Sequence, residues 1–278
     1  IAKFAKLSGI KVFYYISPKF WAWREKRVVK VKKWVDRMFI IFPFETEFYR
    51  KYDIPVEYRG NPLVDEIERK IASLPGKNEI IEKLQLGSKP LITILPGSRK
   101  DEIRSMLPQI IKIISDFPGY QFVIAGVRNI PEKLYTEITG NAPVKIVNDK
   151  TYELLKVSEA AIVKSGTSTL ETALFNIPQV VCYKGDFFSM LIALILIKVK
   201  YVSLVNLIAG SEIVKELLGY KLNRKNLVKE LSLIIEGGPK RERMLSDYKI
   251  LMEKLGPAGA SGRIAGAMVE EMRCGGKG

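Results

Sequence analysis

An α/β fold, a parallel sheet wrapped by helices, is predicted by three observations. From about residue 90 onward, short apolar runs alternate with helical patterns in regular succession. The runs at 91–95, 121–125, 144–147 and 160–163 have the length and continuous apolarity of strands buried on both faces. No internal repeat, low-complexity segment or cysteine framework points to another class.

Taken in order, residues 1–7 read as the end of a helix closed by Gly9, and 11–16 as a strand ended by Ser17-Pro18. The next stretch, FWAWREKRVVKVKKWVDR, sets Trp21, Trp23 and Trp34 in a dense basic run. Val28, Val31, Trp34 and Val35 fall on one helical face, with Arg24, Arg27, Lys30 and Lys33 at the complementary spacing. That is the pattern of a solvated amphipathic helix, and basic residues among tryptophans also suit a membrane surface or a phosphate. Strands are expected at 38–42 and 56–59 with a short helix starting at 43–45 between them, before Gly60-Asn61-Pro62 turns the chain. The charged stretch 63–89, with Pro75-Gly76, marks a boundary that divides the chain into 1–66 and 67–278.

In the second part, helices are expected at 103–117, 131–139, 151–157 and 169–175, and a further strand at 179–183. The most apolar run, 187–199, is shorter than the roughly 20 residues of a membrane span. Either a buried helix or one that sets Phe187, Phe188 and Leu191 against a bilayer or acyl chains accounts for it. Asn206 stands in an apolar loop, 205–210, where it can bond its own backbone or donate to a phosphate or sugar. From 212 to 273 the pattern is helical, broken at Gly219, at 237–239 and at Gly256-Pro257.

The balance of 45 Lys and Arg against 30 Asp and Glu, a formal charge of +15, calls for an anionic partner. The absence of histidine removes imidazole as a general base and the commonest transition-metal ligand. Cys182 and Cys274 form no CxxC, so neither a zinc site nor a disulfide framework is expected, and a reducing cytoplasm is the simpler home. No nucleic-acid recognition motif accompanies the charge. The chain opens Ile1-Ala2-Lys3 without a methionine, so a preceding segment is expected.

Two turns read as anion sites. Ser165-Gly166-Thr167-Ser168 lies between a strand and a helix, a layout that aims backbone N–H groups and hydroxyls at an anion. Glu171, one turn into that helix, suits a ribose, since a carboxylate accepts from two hydroxyls at once. The same residues also spell a capping box, Ser168 at N-cap and Glu171 at N3, which needs no ligand. The second turn is Leu95-Pro96-Gly97-Ser98-Arg99, where Ser98 can cap with Asp101. Arg99 would stand at the mouth of the sheet, where a planar cation can stabilise a leaving diphosphate; a surface arginine on a capped helix is the plainer reading.

YYISPKFWAWREKRV at 14–28, FPFE at 42–45, GNPLVD at 60–65, LPGSR at 95–99, KSGTSTLE at 164–171 and YVSLVNLIAG at 201–210 together resemble one family, the lipid-A-disaccharide synthases. The similarity runs in order over essentially the whole chain. It implies two Rossmann-like domains of the GT-B glycosyltransferase type, the first incomplete here. It also implies transfer of 2,3-diacylglucosamine from its UDP conjugate to 2,3-diacylglucosamine 1-phosphate, releasing UDP, by direct displacement with no metal or cofactor. Gly97, Ser98, Ser165, Gly166, Thr167, Ser168 and Glu171 would then bind the UDP-sugar, with Arg99 and Asn206 as catalytic residues. Trp21, Trp23, Phe187, Phe188 and Leu191 would meet acyl chains or an anionic inner membrane, to which the protein would bind peripherally from the cytoplasm; nucleic acid is not expected, and a homodimer is left open.

In this family the first domain opens upstream with a glycine-rich segment and an aspartate proposed as general base, and Asp36, Asp65 and Asp101 here have capping or surface readings. The resemblance therefore leads us to expect a first sheet with an open, aggregation-prone edge and little or no transferase activity from this chain alone. Two alternatives fit the same residues: a UDP-sugar epimerase on the same architecture, and a non-catalytic, membrane-adherent nucleotide-binding module.

Overall fold

The computed structural model describes residues 1–18, 20, 28–184 and 200–274. In chain order the first elements are α1 (Ala2–Leu7), β1 (Phe13–Tyr15), α2 (Val28–Trp34), β2 (Arg37–Ile40), α3 (Glu45–Arg50), β3 (Val56–Tyr58), α4 (Pro62–Ser73) and α5 (Lys77–Lys83). There follow β4 (Leu91–Leu95), α6 (Lys100–Ile111), β5 (Gln121–Gly126), α7 (Glu132–Thr139), β6 (Val144–Asn148), α8 (Thr151–Val157), β7 (Ser158–Lys164), α9 (Thr167–Leu174) and β8 (Gln179–Tyr183). The last are α10 (Leu204–Ala209), β9 (Lys215–Leu218), α11 (Arg224–Ser232), α12 (Arg241–Leu255) and α13 (Ala260–Cys274). Among the described residues one compact unit comprises Ile1–Glu68 with 252–274, and the other comprises 69–184 with 200–251.

In the first unit the strands pair in parallel in the order β1-β2-β3, with Phe13 opposite Arg37 and Met38 opposite Val56. Helix α2 turns its apolar spacing inward: Val28 and Val31 are buried and pack with Met38, Ile40, Tyr49 and Ile54, while Lys30, Lys32 and Lys33 are exposed. The turn into α4 ties this sheet to the last helix of the chain. The Asp65 carboxylate accepts the N–H groups of Gly259 (2.7 Å), Ala260 (3.1 Å) and Ser261 (3.0 Å), capping α13 from outside its own sequence. Tyr58 donates to Leu255 O (2.8 Å) and Arg263 to Arg59 O (3.0 Å) beside it.

The second unit is a six-stranded parallel sheet in the order β6-β5-β4-β7-β8-β9. The chain lays β4, β5 and β6 outward in one direction, then returns to place β7 against the other side of β4 and continues through β8 and β9. Every position of β4 is buried, because helices cover both faces of the sheet. Leu91, Val123, Leu154, Leu155, Ala161 and Val163 belong to one core cluster.

Two expectations are corrected here. The stretch 212–273 is not helical throughout: Lys215–Leu218 is strand β9, parallel to β8, with Leu217 opposite Cys182. Lys, Glu and Leu favour helix locally, and an open sheet edge offering backbone partners overrides that preference. Asn206 lies not in a loop but in helix α10, whose N-cap Ser203 accepts the Asn206 N–H. No helix among the described residues is long and apolar enough to cross a membrane.

Burial pushes the Asp65 carboxyl up, but the bonds from Ser261, Ala260 and Gly259 outweigh it and hold the group below the ordinary carboxylate range. The stability it confers is full above the ordinary value and is lost as pH falls through the lowered one. Asp65→Ala is expected to cost about 1 kcal/mol in urea unfolding at neutral pH, the scale of a lost helix cap. The gap between variant and parent is expected to close in acid.

Candidate active site at the carboxyl ends of β4 and β7

In the second unit β4 continues to β5 on one side and β7 to β8 on the other, so right-handed crossovers send α6 and α9 to opposite faces of the sheet. The strands themselves are neighbours, with Leu95 opposite Val163. A crevice opens where the connections part, the place where sheets of this kind take ligands. The two anion-type turns, far apart in sequence, thus stand side by side.

The 165–168 turn does not form the capping box. Helix α9 begins at Thr167, with Gly166 as N-cap in extended backbone (φ 164°, ψ −159°) and no side-chain cap. The early start carries Ser168 into the first helical turn, where its carbonyl accepts from Thr172 Oγ1 (2.7 Å). Thr167 and Ser168, as the first helical residues, have no carbonyl one turn back for their N–H groups. Gly166 and Thr167 are exposed, whereas Ser165 is buried: its N–H donates to Cys182 O (2.9 Å) and its hydroxyl to Val202 O (3.2 Å). Ser165 anchors the turn. The half-buried Glu171 accepts from the Tyr152 hydroxyl (3.3 Å), and the Tyr152 ring stacks on Phe175 with centroids 5.5 Å apart.

At the 95–99 turn the expected pairing of Ser98 with Asp101 is also absent. Arg99 is the N-cap of α6 and makes no side-chain cap bond. The carboxylate that reaches back belongs to Glu102, three residues past Arg99. Its Oε2 accepts the Ser98 N–H (3.3 Å), and its Oε1 accepts from Arg99 Nη1 (3.0 Å) and Lys164 Nζ (2.8 Å). Gly97 suits this turn because its φ is +105°, a conformation L side chains rarely adopt, and a Cβ there would also push the Glu102 carboxylate, whose Oε2 lies 2.5 Å away, out of place. Burial pushes the Glu102 carboxyl up, but Lys164 and Arg99 outweigh it and hold it below its ordinary value. The Arg99 side chain is 79% exposed, that of Lys164 only 18%. A cavity of about 370 Å³ opens beside the pair, lined by Asp101, Glu102, Met106, Lys164, Tyr183 and Lys184 among others.

Asn206 is fully buried in the same unit, with every hydrogen-bonding position occupied. Its Nδ2 donates to Val214 O (2.9 Å) and Glu216 Oε1 (2.9 Å), and its Oδ1 accepts from Ile213 N (2.8 Å) and Val214 N (3.0 Å). Glu216 also accepts from the N–H groups of Val202 and Ser203 and from the Ser203 hydroxyl. The Val202 carbonyl in turn holds Ser165, so the network runs from β9 to the 165–168 turn. Asn206→Ala leaves two buried and two half-buried groups short of a partner and is expected to cost about 3 kcal/mol, read by chemical unfolding.

Sequence reading missed Glu102, Lys164, Tyr152 and Glu216. Lys164 had a signal, a charged residue ending an apolar run just before a small-residue turn. Trp21, Trp23, Phe187, Phe188 and Leu191 lie outside the described residues. Among the described residues no group of three His, Cys, Asp or Glu side chains is placed to hold a metal ion.

A family model described as lipid-A-disaccharide synthetase matches residues 1–261. The lipid-A-disaccharide synthase of Geobacter metallireducens is 33% identical over 277 residues, covering 97% of this chain and 71% of that protein. The Myxococcus xanthus synthase is 35% identical over 278 residues, with the same coverage of each. Among solved structures, a UDP-GlcNAc 2-epimerase from Neisseria meningitidis bound to UDP-GlcNAc superposes with a TM-score of 0.64 at 15% identity, covering 97% of this chain and 72% of that one, a likeness of fold. The chain belongs to the lipid-A-disaccharide synthase family, glycosyltransferases of lipid A biosynthesis.

Proposed function

We propose that the crevice between β4 and β7 binds the UDP portion of a UDP-2,3-diacylglucosamine donor, whose sugar passes to 2,3-diacylglucosamine 1-phosphate. The observation that carries this reading is the juxtaposition of two anion-type turns on adjacent strands, with a carboxylate one helical turn beyond the first. Gly166, Thr167 and Ser168 offer backbone N–H groups and hydroxyls to the diphosphate. Glu171, oriented by Tyr152, accepts from the ribose hydroxyls. Gly97 and Ser98 shape the neighbouring turn, and the exposed Arg99 guanidinium meets the charge that develops on the departing UDP.

In the displacement the acceptor's hydroxyl oxygen bonds to the anomeric carbon as the bond from that carbon to the diphosphate oxygen breaks. The electron pair leaves with UDP, and the hydroxyl proton goes to a base. Ser165 and Asn206 act through structure: the first pins the diphosphate turn, and the second holds the segment that Ser165 leans on. Acylated substrates and a charge of +15 support work at an anionic membrane surface, bound peripherally on the cytoplasmic face of the inner membrane.

Titration calorimetry with UDP tests the reading. The parent chain is expected to bind saturably, and Glu171→Ala to weaken binding by about tenfold or more, the loss of a charged hydrogen bond. Equal affinity in the variant, or no binding by folded parent protein, overturns it. Tyr152→Phe is expected to give a smaller loss in the same direction.

A further inference from the structure

Two cations meet one carboxylate on the seam between β4 and β7. Arg99 comes from the turn after β4 and Lys164 is the last residue of β7, and both bond the same oxygen of Glu102. That carboxylate also takes the Ser98 N–H and lies against Gly97. One anionic group of the protein thus collects a backbone N–H, a guanidinium and an ammonium, the donor set that phosphate oxygens attract. A lysine ammonium has three N–H donors, and Glu102 takes one from Lys164. Lys164 also lines the cavity, with its ammonium 5.8 Å from the centre of the Tyr183 ring. It directly precedes Ser165, so its backbone is fixed in the sheet while its head is bonded to Glu102 beside the 97–99 turn.

We infer that Lys164 is a further diphosphate-binding residue, held in place by Glu102. This rests on the reading of the crevice as a UDP site. Arg99, mostly exposed, closes on the diphosphate from the solvent side, and Lys164, mostly buried, contacts it from the sheet side, where low exposure makes its charge count for more. Glu102 supplies the counter-charge that lets two cations share the seam before substrate arrives.

The test compares UDP with uridine, which lacks phosphate, on the full chain at several salt concentrations. Lys164→Met keeps the aliphatic stem and removes the charge, and Lys164→Arg restores a cation. Expected are a loss of UDP affinity of about tenfold or more in Lys164→Met, little change for uridine, a shallower salt dependence, and substantial recovery in Lys164→Arg. Unchanged UDP affinity in Lys164→Met overturns the inference while leaving the UDP site intact. So does an equal loss for UDP and uridine with the salt dependence retained, which marks a structural lysine. Failure of the folded parent to bind UDP removes the site reading and this inference together.

Discussion

The chemistry of the second unit depends on one constraint, the handedness of parallel connections. A parallel strand cannot be reached by a tight turn, so each link crosses a face of the sheet, and the right-handed crossing is strongly preferred. When the chain reverses its direction of growth between β6 and β7, the helices after β4 and β7 must separate. The carboxyl ends of those strands are then neighbours from which α6 and α9 diverge. Two turns carrying donors of opposite origin, a cationic side chain at one and a helix N-terminus at the other, are brought together with no sequence proximity at all.

In a chain with this excess of positive charge, carboxylates do much of the fixing of irregular backbone. Asp65 takes three N–H groups at the start of α13. Glu45, buried after β2, accepts from the Ser17 hydroxyl and the Phe42 N–H (3.1 Å). Glu102 gathers the 97–99 turn and Lys164, and Glu216 gathers 202–206. Each satisfies orphan backbone donors that would otherwise be costly to bury. Glu102 also meets two cations, Arg99 and Lys164, so the field at that turn is set by one acid between two bases.

The polar side chains that sequence reading singled out divide by burial. Arg99 and Thr167 are exposed. Ser165 and Asn206 are not; their polar groups are spent on the protein's own backbone. A motif can contain both kinds of residue because an exposed turn needs a rigid support beneath it.

Apolar runs, their strand-like length and the turn signals that bound them determined the α/β class and the strands at 91–95 and 179–183, since strands buried on both faces are short and continuously apolar. The motif strings likewise carried the family, and the small-residue turns announced themselves between strand and helix. What local sequence could not decide was set by partners distant in the chain. Lys215–Leu218 became a strand because β8 offered an edge, against its own helix preference. The start of α9 moved ahead of Ser168 and dissolved an apparent capping box. Glu102 met Lys164 because β4 and β7 lie side by side, a pairing across 62 positions that no spacing rule encodes. Sequence specifies what each segment can be, and only the closed sheet, by bringing backbone edges and opposite charges within bonding distance, selects which of those possibilities has the lower free energy.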